Sequence, residues 1–79
     1  MTRKEVFEKL DEVFQEVFDD EDITVNDNTT SNDIEDWDSL EHINLVVAIE
    51  KKLGIKFNMA EVNSMVNVGE MVDIILNRI

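Results

Sequence analysis

Ser39 is the residue whose type and position best suit chemistry on a side-chain oxygen. It follows the stretch Asp36-Trp37-Asp38 and precedes the apolar Leu40. Asp38 can act as an N-cap, because its carboxylate can accept hydrogen bonds from the free N–H groups of a helix's first turn. Ser39 then takes the first helical position with its hydroxyl facing solvent. The unpaired N–H groups and the positive dipole end favour negative charge there, so a phosphate ester on Ser39 would be stabilised.

The other reactive residue types give no second site. His42 is the single histidine, and the chain has no cysteine. A histidine beside the apolar face of a helix needs no chemical role to explain it, and we predict that His42 is packed rather than catalytic. Ser39 has no general base at a defined spacing, and no pair of carboxylates for acid–base catalysis emerges. The sequence therefore predicts a protein that is not an enzyme.

Four helices are predicted to position Ser39. Apolar residues at helical intervals indicate a first helix over residues 3–18 and a second over residues 39–53, which Gly54 ends in the left-handed conformation. A short third helix follows, whose apolar residues Met59, Val62 and Met65 are predicted to pack, and then a final helix. Besides Asp38 before the second helix, capping pairs open the other three, namely Thr2 with Glu5, Asn58 with Glu61, and Asn67 with Glu70. We predict an all-α four-helix bundle, with three longer helices and one short helix, in a single domain over residues 1–79.

The acidic loop, residues 19–38, joins the first two helices. It holds nine acidic residues and no lysine or arginine. A loop of this length needs anchors, and Ile23, Val25 and Ile34 are predicted to dip into the bundle. Apolar and polar residues alternate around Thr24, but we predict no strand there, because the sequence offers no second strand to pair with it.

Residues 27–38 also have the length of an EF-hand calcium loop, with the apolar Ile34 at the eighth position. The match is poor, because Asn32 replaces the turn glycine and Asp38 is one methylene shorter than the bidentate glutamate. We predict no metal site. Two alternatives from other functional classes remain: a calcium-responsive acidic helical binding module, and an acidic interaction protein whose serine is never modified.

Composition restricts the class of partner. Nineteen acidic against seven basic residues give a net charge of −12, which disfavours nucleic acid and favours basic protein partners. Apolar residues make up 43% of the chain, so it should fold despite its charge. No apolar run is long enough to insert in a membrane, and no signal peptide opens the chain. We expect a cytoplasmic monomer.

The second helix carries two apolar stripes, one on each side of Ser39. The first is predicted to pack in the core and consists of Leu45, Val46, Ile49 and Leu53. The second exceeds what the core requires and consists of Leu40, Ile43 and Val47. We predict that this second stripe, rimmed by Glu41 and Glu50, is a docking face for partner enzymes, where charges set the orientation.

Asp38-Ser39-Leu40 followed by an amphipathic helix resembles the prosthetic-group site of acyl carrier proteins. The resemblance covers nearly the whole chain, including Leu53-Gly54-Ile55 at the end of the second helix and Val68-Gly69-Glu70 at the start of the last. It implies an acyl-carrier-like bundle in which Ser39 bears 4′-phosphopantetheine from coenzyme A. Asp38 would then help a phosphopantetheinyl transferase, the holo-carrier synthase, to place its metal and coenzyme A.

The resemblance also implies the cargo and the partner enzymes of the carrier. The thiol of the arm would carry acyl groups as thioesters between enzymes that load and transfer them and that dock through basic patches. Part of the apolar interior would shelter the acyl chain, in a cavity that includes Val46, Ile49, Val62 and Met65.

The residues before the motif depart from the family pattern. Many fatty-acid carriers have a glycine two residues before Asp-Ser-Leu, where this chain has Asp36 and then Trp37. We therefore expect a specialised carrier rather than a housekeeping one. It would serve fatty-acid, polyketide or related lipid and surface-polysaccharide biosynthesis, and an aminoacyl or peptidyl carrier is the alternative.

Overall fold

The computed structural model describes all residues from Met1 to Ile79. It contains four α-helices and no strand, as predicted. The helices are α1 (Arg3–Val17), α2 (Ser39–Leu53), α3 (Met59–Ser64) and α4 (Val68–Leu76). A 3₁₀ turn at Ser31–Asp33 interrupts the acidic loop. None of the helices combines the length and the apolar character needed to cross a bilayer.

Helix α1 is the central packing element. Its first turn is closed by the predicted capping box, in which the Thr2 hydroxyl accepts from the Glu5 N–H and the Glu5 carboxylate accepts from the Thr2 N–H. α1 packs mainly against α2 and α4. The largest fully buried side chains of the bundle come from these three helices and include Phe14, Leu10, Leu45, Ile49, Met71 and Ile75.

The acidic loop is anchored to α1 by side chains and by backbone hydrogen bonds. Val25 is buried, and its N–H donates to the Asp11 carboxylate at 2.8 Å. The Gln15 amide donates to the Ile23 carbonyl at 2.9 Å. Ile23 and Ile34 are half-buried against the core. The three predicted anchors are thus confirmed, and together they hold a chain that carries many like charges close to the bundle.

The loop also closes the start of α4, which the sequence did not indicate. The Val68 N–H donates to the Thr29 carbonyl at 2.9 Å, and the Gly69 N–H donates to the Asp27 carbonyl at 3.1 Å. These contacts satisfy N–H groups that have no partner inside α4. Thr29 is the one buried polar residue of the chain. The acidic loop is therefore a structural strap between α1 and α4.

Three local predictions were wrong. Helix α1 ends at Val17, one residue earlier than predicted. Met59, which we expected to pack, is 66% exposed, because it opens the short helix α3 on the side away from the core. The Glu70 carboxylate accepts from the Val66 N–H at 2.8 Å rather than from the Asn67 N–H, so the cap of α4 is not the reciprocal box that the spacing suggested.

Candidate functional site

Ser39 lies at the first position of α2 and is exposed, as the sequence predicted. Asp38 has an extended backbone, and its Oδ1 atom accepts from the Glu41 N–H at 2.8 Å. The Asp38 carbonyl accepts from the His42 N–H at 2.8 Å, which begins the helical ladder. Asp38 therefore fixes the direction of the first turn and leaves the Ser39 hydroxyl open to solvent.

An open groove of about 550 Å³ begins at Ser39 and runs between α2 and α3. Its lining mixes apolar and polar side chains, among them Trp37, Ser39, His42, Ile43, Val62 and Met65. A second cavity, of about 600 Å³, lies between the end of α1 and the loop and has no hydrophobic residue in its lining. The groove at Ser39 is thus the one of the two that offers contact to an apolar chain.

Trp37 and His42 form the inner wall of this groove. The indole N–H of Trp37 donates to Nδ1 of His42 at 3.1 Å, and the two rings stack with centroids 5.9 Å apart. Because Nδ1 accepts, the ring proton lies on Nε2, which donates to the Val62 carbonyl at 3.1 Å. His42 therefore joins the acidic loop, α2 and α3, which agrees with a packed histidine.

The sequence did not assign Trp37 to the core, where the structure places it. Trp37 is only 8% exposed, and its ring meets Phe14 edge-on with centroids 5.2 Å apart. A buried tryptophan needs a hydrogen-bond acceptor for its N–H, and the single histidine, five positions later, was the available signal.

Neither polar neighbour of Ser39 is available as a general base. The Asp38 carboxylate is engaged by the Glu41 N–H, and both ring nitrogens of His42 are hydrogen-bonded. A serine needs an adjacent base to become a nucleophile at neutral pH. No hydrogen bond joins the Ser39 hydroxyl to a base that could activate it.

The second apolar stripe of α2 is exposed, as predicted. Leu40 is 70% exposed, Ile43 44% and Val47 43%. The two acids assigned to its rim differ from each other. Both are half-buried, but Glu41 accepts from the side-chain amide of Asn44 within α2, whereas Glu50 accepts from the Phe57 N–H beyond α2 at 2.8 Å. Glu50 therefore has a structural role in fastening the chain after α2.

The four residues predicted to line an acyl cavity fall into two groups. Val62 and Met65 line the groove at Ser39. Val46 and Ile49 are buried and are absent from its lining, and Ile49 belongs to the main core cluster. Ile43, which we assigned only to docking, also faces the groove.

The carboxylates of residues 27–38 do not converge on a common point. Asp27 pairs with Arg3, Asp33 accepts from the Thr30 N–H, and Asp38 caps α2. No group of three or more acidic or histidine side chains is arranged to hold a metal ion. The calcium-loop alternative therefore finds no support in the geometry, because three of its candidate carboxylates have other partners.

An ion pair fastens α3 to the end of the chain. Arg78 donates to the Glu61 carboxylate at 2.6 Å, and the Asn58 N–H donates to the other oxygen of the same carboxylate. The Arg78 hydrogen bond, followed by the Asn58 N–H, lowers the pKa of Glu61 below its ordinary value. Glu61 is thus held ionised on α3, the short helix that forms one wall of the groove.

The family model described as "Phosphopantetheine attachment site" matches residues 8–75. Among solved structures, the chain is similar to a holo acyl carrier protein from Geobacter metallireducens. The two share 38% sequence identity and a TM-score of 0.86, over 92% of this chain and 84% of the other. The chain belongs to the acyl carrier protein family. Comparison with curated protein sequences gives no significant match.

Membership of the acyl carrier protein family identifies the prosthetic group and the class of protein. Acyl carrier proteins are carriers and not enzymes, and phosphopantetheine is their prosthetic group. The residues present fit this group, because an exposed hydroxyl at a helix start adjoins a groove with both polar and apolar lining. As a member of the family, this acyl carrier protein meets a modifying transferase and biosynthetic enzymes.

Proposed function

We propose that Ser39 is the attachment site of 4′-phosphopantetheine and that residues 1–79 act as one carrier domain. The supporting observation is that the Ser39 hydroxyl is exposed at the first position of α2 and opens onto the groove. Ser31 also lines the groove but lies in the 3₁₀ turn, and Ser64 ends α3, so neither opens an α-helix as Ser39 does. One core cluster contains residues from Val6 to Ile75, which supports a single domain.

The attachment reaction is a phosphoryl transfer from coenzyme A. The Ser39 oxygen attacks the phosphorus next to the pantetheine, and a P–O bond forms as the bond to the second phosphate breaks. Adenosine 3′,5′-bisphosphate leaves with the bond electrons, and a base on the transferase takes the hydroxyl proton. Because α2 presents unpaired N–H groups at its start, the phosphodiester on Ser39 lies in a favourable field. Asp38 keeps that first turn in place.

Partner enzymes dock on the exposed stripe of α2, formed by Leu40, Ile43 and Val47. Exposed apolar groups give contact area, and the net charge of −12 attracts partners with basic patches before contact. Glu41 lies beside the stripe and supplies orientation. Glu50 contributes less to docking because the Phe57 N–H engages its carboxylate.

The cargo is an acyl intermediate of fatty-acid, polyketide or a related lipid or surface-polysaccharide pathway. The lining of the groove at Ser39 includes apolar side chains that can contact an alkyl chain, which favours acyl over aminoacyl or peptidyl cargo. Asp36, at the position where many fatty-acid carriers have glycine, and the bulky Trp37 after it support a specialised pathway over housekeeping fatty-acid synthesis. We place the protein in the cytoplasm as a monomer, where coenzyme A and the pathway enzymes are available.

Peptide mapping tests the attachment site, and a matched pair of substitutions tests docking. After modification, fragmentation mass spectrometry should place the added mass on Ser39. Ile43→Asp should lower transferase kcat/KM about tenfold, which corresponds to about 1.4 kcal/mol. Ile79→Asp is the control, because Ile79 is 46% exposed against 44% for Ile43 but lies far from α2 in sequence and outside every helix. Equal losses in both variants would contradict docking through α2.

A further inference from the structure

Trp37 lies between the groove and the core of the bundle. One side of the indole lines the groove that begins at Ser39, and the other contacts Phe14 and Phe18 at centroid distances of 5.2 and 6.4 Å. With 8% of its surface exposed, the ring closes the route from the groove toward the core cluster. An alkyl chain that passed deeper would have to displace it.

A continuous series of hydrogen bonds crosses the inner wall of the groove. The Trp37 indole donates to His42, and His42 donates to the Val62 carbonyl of α3. Helix α3 packs less closely on the other helices than α1 packs on α2 or α4. The Glu61–Arg78 ion pair and the buried Val62 side chain are its main further ties. His42 therefore holds α3 onto α2 at the groove.

We propose that Trp37 and His42 limit the length of the acyl chain that this carrier shelters, so that short and medium chains are protected and long chains are not. This inference rests on the proposed attachment at Ser39. The open groove, at about 550 Å³, accommodates the first part of an alkyl chain against Ile43, Val62 and Met65. Further length would require α3 to move away from α2 and the indole to leave Phe14, with loss of both hydrogen bonds. A long chain therefore remains in solvent or on a partner enzyme.

The test compares thioester protection across chain lengths. Wild-type protein is loaded by a transferase with butyryl, octanoyl, dodecanoyl or hexadecanoyl phosphopantetheine from the matching acyl-coenzyme A, and cleavage by hydroxylamine is followed by intact mass. We expect butyryl and octanoyl thioesters to be cleaved about fivefold more slowly than hexadecanoyl. Trp37 is the single tryptophan, so its indole N–H resonance shows directly whether the hydrogen bond to His42 is kept. It should keep its hydrogen-bonded shift in every loaded form.

Substitutions at the wall separate volume from hydrogen bonding. Trp37→Leu opens space, and His42→Ala releases α3, so both should extend about fivefold protection to the hexadecanoyl thioester. If the larger changes unfold the bundle, two milder variants take their place in the protection assay. Trp37→Phe removes the N–H donor and keeps most of the ring, and His42→Gln keeps a donor for the Val62 carbonyl. Phe7→Leu, a half-buried site on α1, controls for general loss of stability.

Two results would overturn the inference in distinguishable ways. If no acyl-phosphopantetheine is transferred to the wild type while a reference carrier is loaded, the attachment at Ser39 fails, and the cargo limit fails with it. If loading succeeds but hexadecanoyl and octanoyl thioesters are equally protected in the wild type, only the role of Trp37 and His42 is overturned.

Discussion

The indole N–H of Trp37 donates a hydrogen bond to Nδ1 of His42 at a distance of 3.1 Å. This contact sets the tautomer of His42 and directs Nε2 to the Val62 carbonyl. A residue just before the modified serine is thereby linked to the helix that forms the far wall of the groove. The same pair closes the core next to Phe14.

Removing the acceptor should destabilise the fold. His42→Ala leaves the N–H of a nearly buried indole without a partner, which costs about 1–3 kcal/mol. For a domain of this size the melting temperature should fall by about 10 °C, on the scale of about 4–8 °C per kcal/mol. Thermal unfolding followed by circular dichroism measures the change. A shift no larger than that of Asn44→Ala, an exposed position on the same helix, would show that the contact contributes little.

Gly69→Ala should destabilise the protein although alanine is the better helix former. A Cβ atom at position 69 would lie 2.7 Å from the Asp27 carbonyl oxygen and 2.9 Å from an Asp27 carboxylate oxygen. The contact with backbone would push the acidic loop off the start of α4, at a cost of about 1–3 kcal/mol. Helix propensity alone predicts a gain of about 1 kcal/mol.

Urea unfolding gives the sign of the change in unfolding free energy caused by Gly69→Ala, which decides between the steric contact with Asp27 and helix propensity. Gly54→Ala is the comparison. A Cβ atom there would have no neighbour within 4 Å, so its only cost would be that alanine must adopt the positive φ of 67°. A more stable Gly69→Ala variant would mean that the loop does not pack against α4 as described.

The Glu61–Arg78 pair should make part of the stability depend on pH. The pKa of Glu61 is lowered by Arg78 and by the Asn58 N–H, so the folded protein binds fewer protons at this site than the unfolded chain. Its contribution is complete above the unfolded pKa, about 4.3, and is lost as the pH falls through the lower folded value.

Unfolding free energies of wild type and Glu61→Gln should therefore differ at pH 7 and converge in acid. Glu8→Gln, at an exposed position of α1, controls for the loss of one negative charge from a highly acidic protein. A difference that stays constant, or grows, as the pH falls would refute a stabilising role for the ionised Glu61 carboxylate.

Local signals in the sequence predicted the helices and the placement of Ser39. The Asp38 cap and the Gly54 stop depend on a few neighbouring residues, so their spacing sufficed. The apolar periodicity of α1 and α2 likewise identified the buried faces. Exposure of Leu40, Ile43 and Val47 followed from the same periodicity, because one stripe was enough to bury α2.

Contacts between distant segments were not predictable from one sequence. The pairing of Thr29 and Asp27 with the start of α4 depends on where the loop returns, which no local pattern encodes. The Phe57 N–H engages the Glu50 carboxylate, which has no partner on a helical projection of α2. Trp37 was assessed as a departure before the motif, and its burial against Phe14 became evident only when the loop and α1 were placed together.

The most direct test of the central claim is the intact mass of the protein after incubation with coenzyme A, magnesium and a phosphopantetheinyl transferase of broad specificity. Wild type, Ser31→Ala and Ser64→Ala should each gain the mass of one phosphopantetheine, and Ser39→Ala should gain none. All four proteins should give similar circular dichroism spectra, since the exposed serines contribute little packing. Modification of Ser39→Ala, or no gain by folded wild type with a transferase that modifies a reference carrier, would contradict attachment at Ser39.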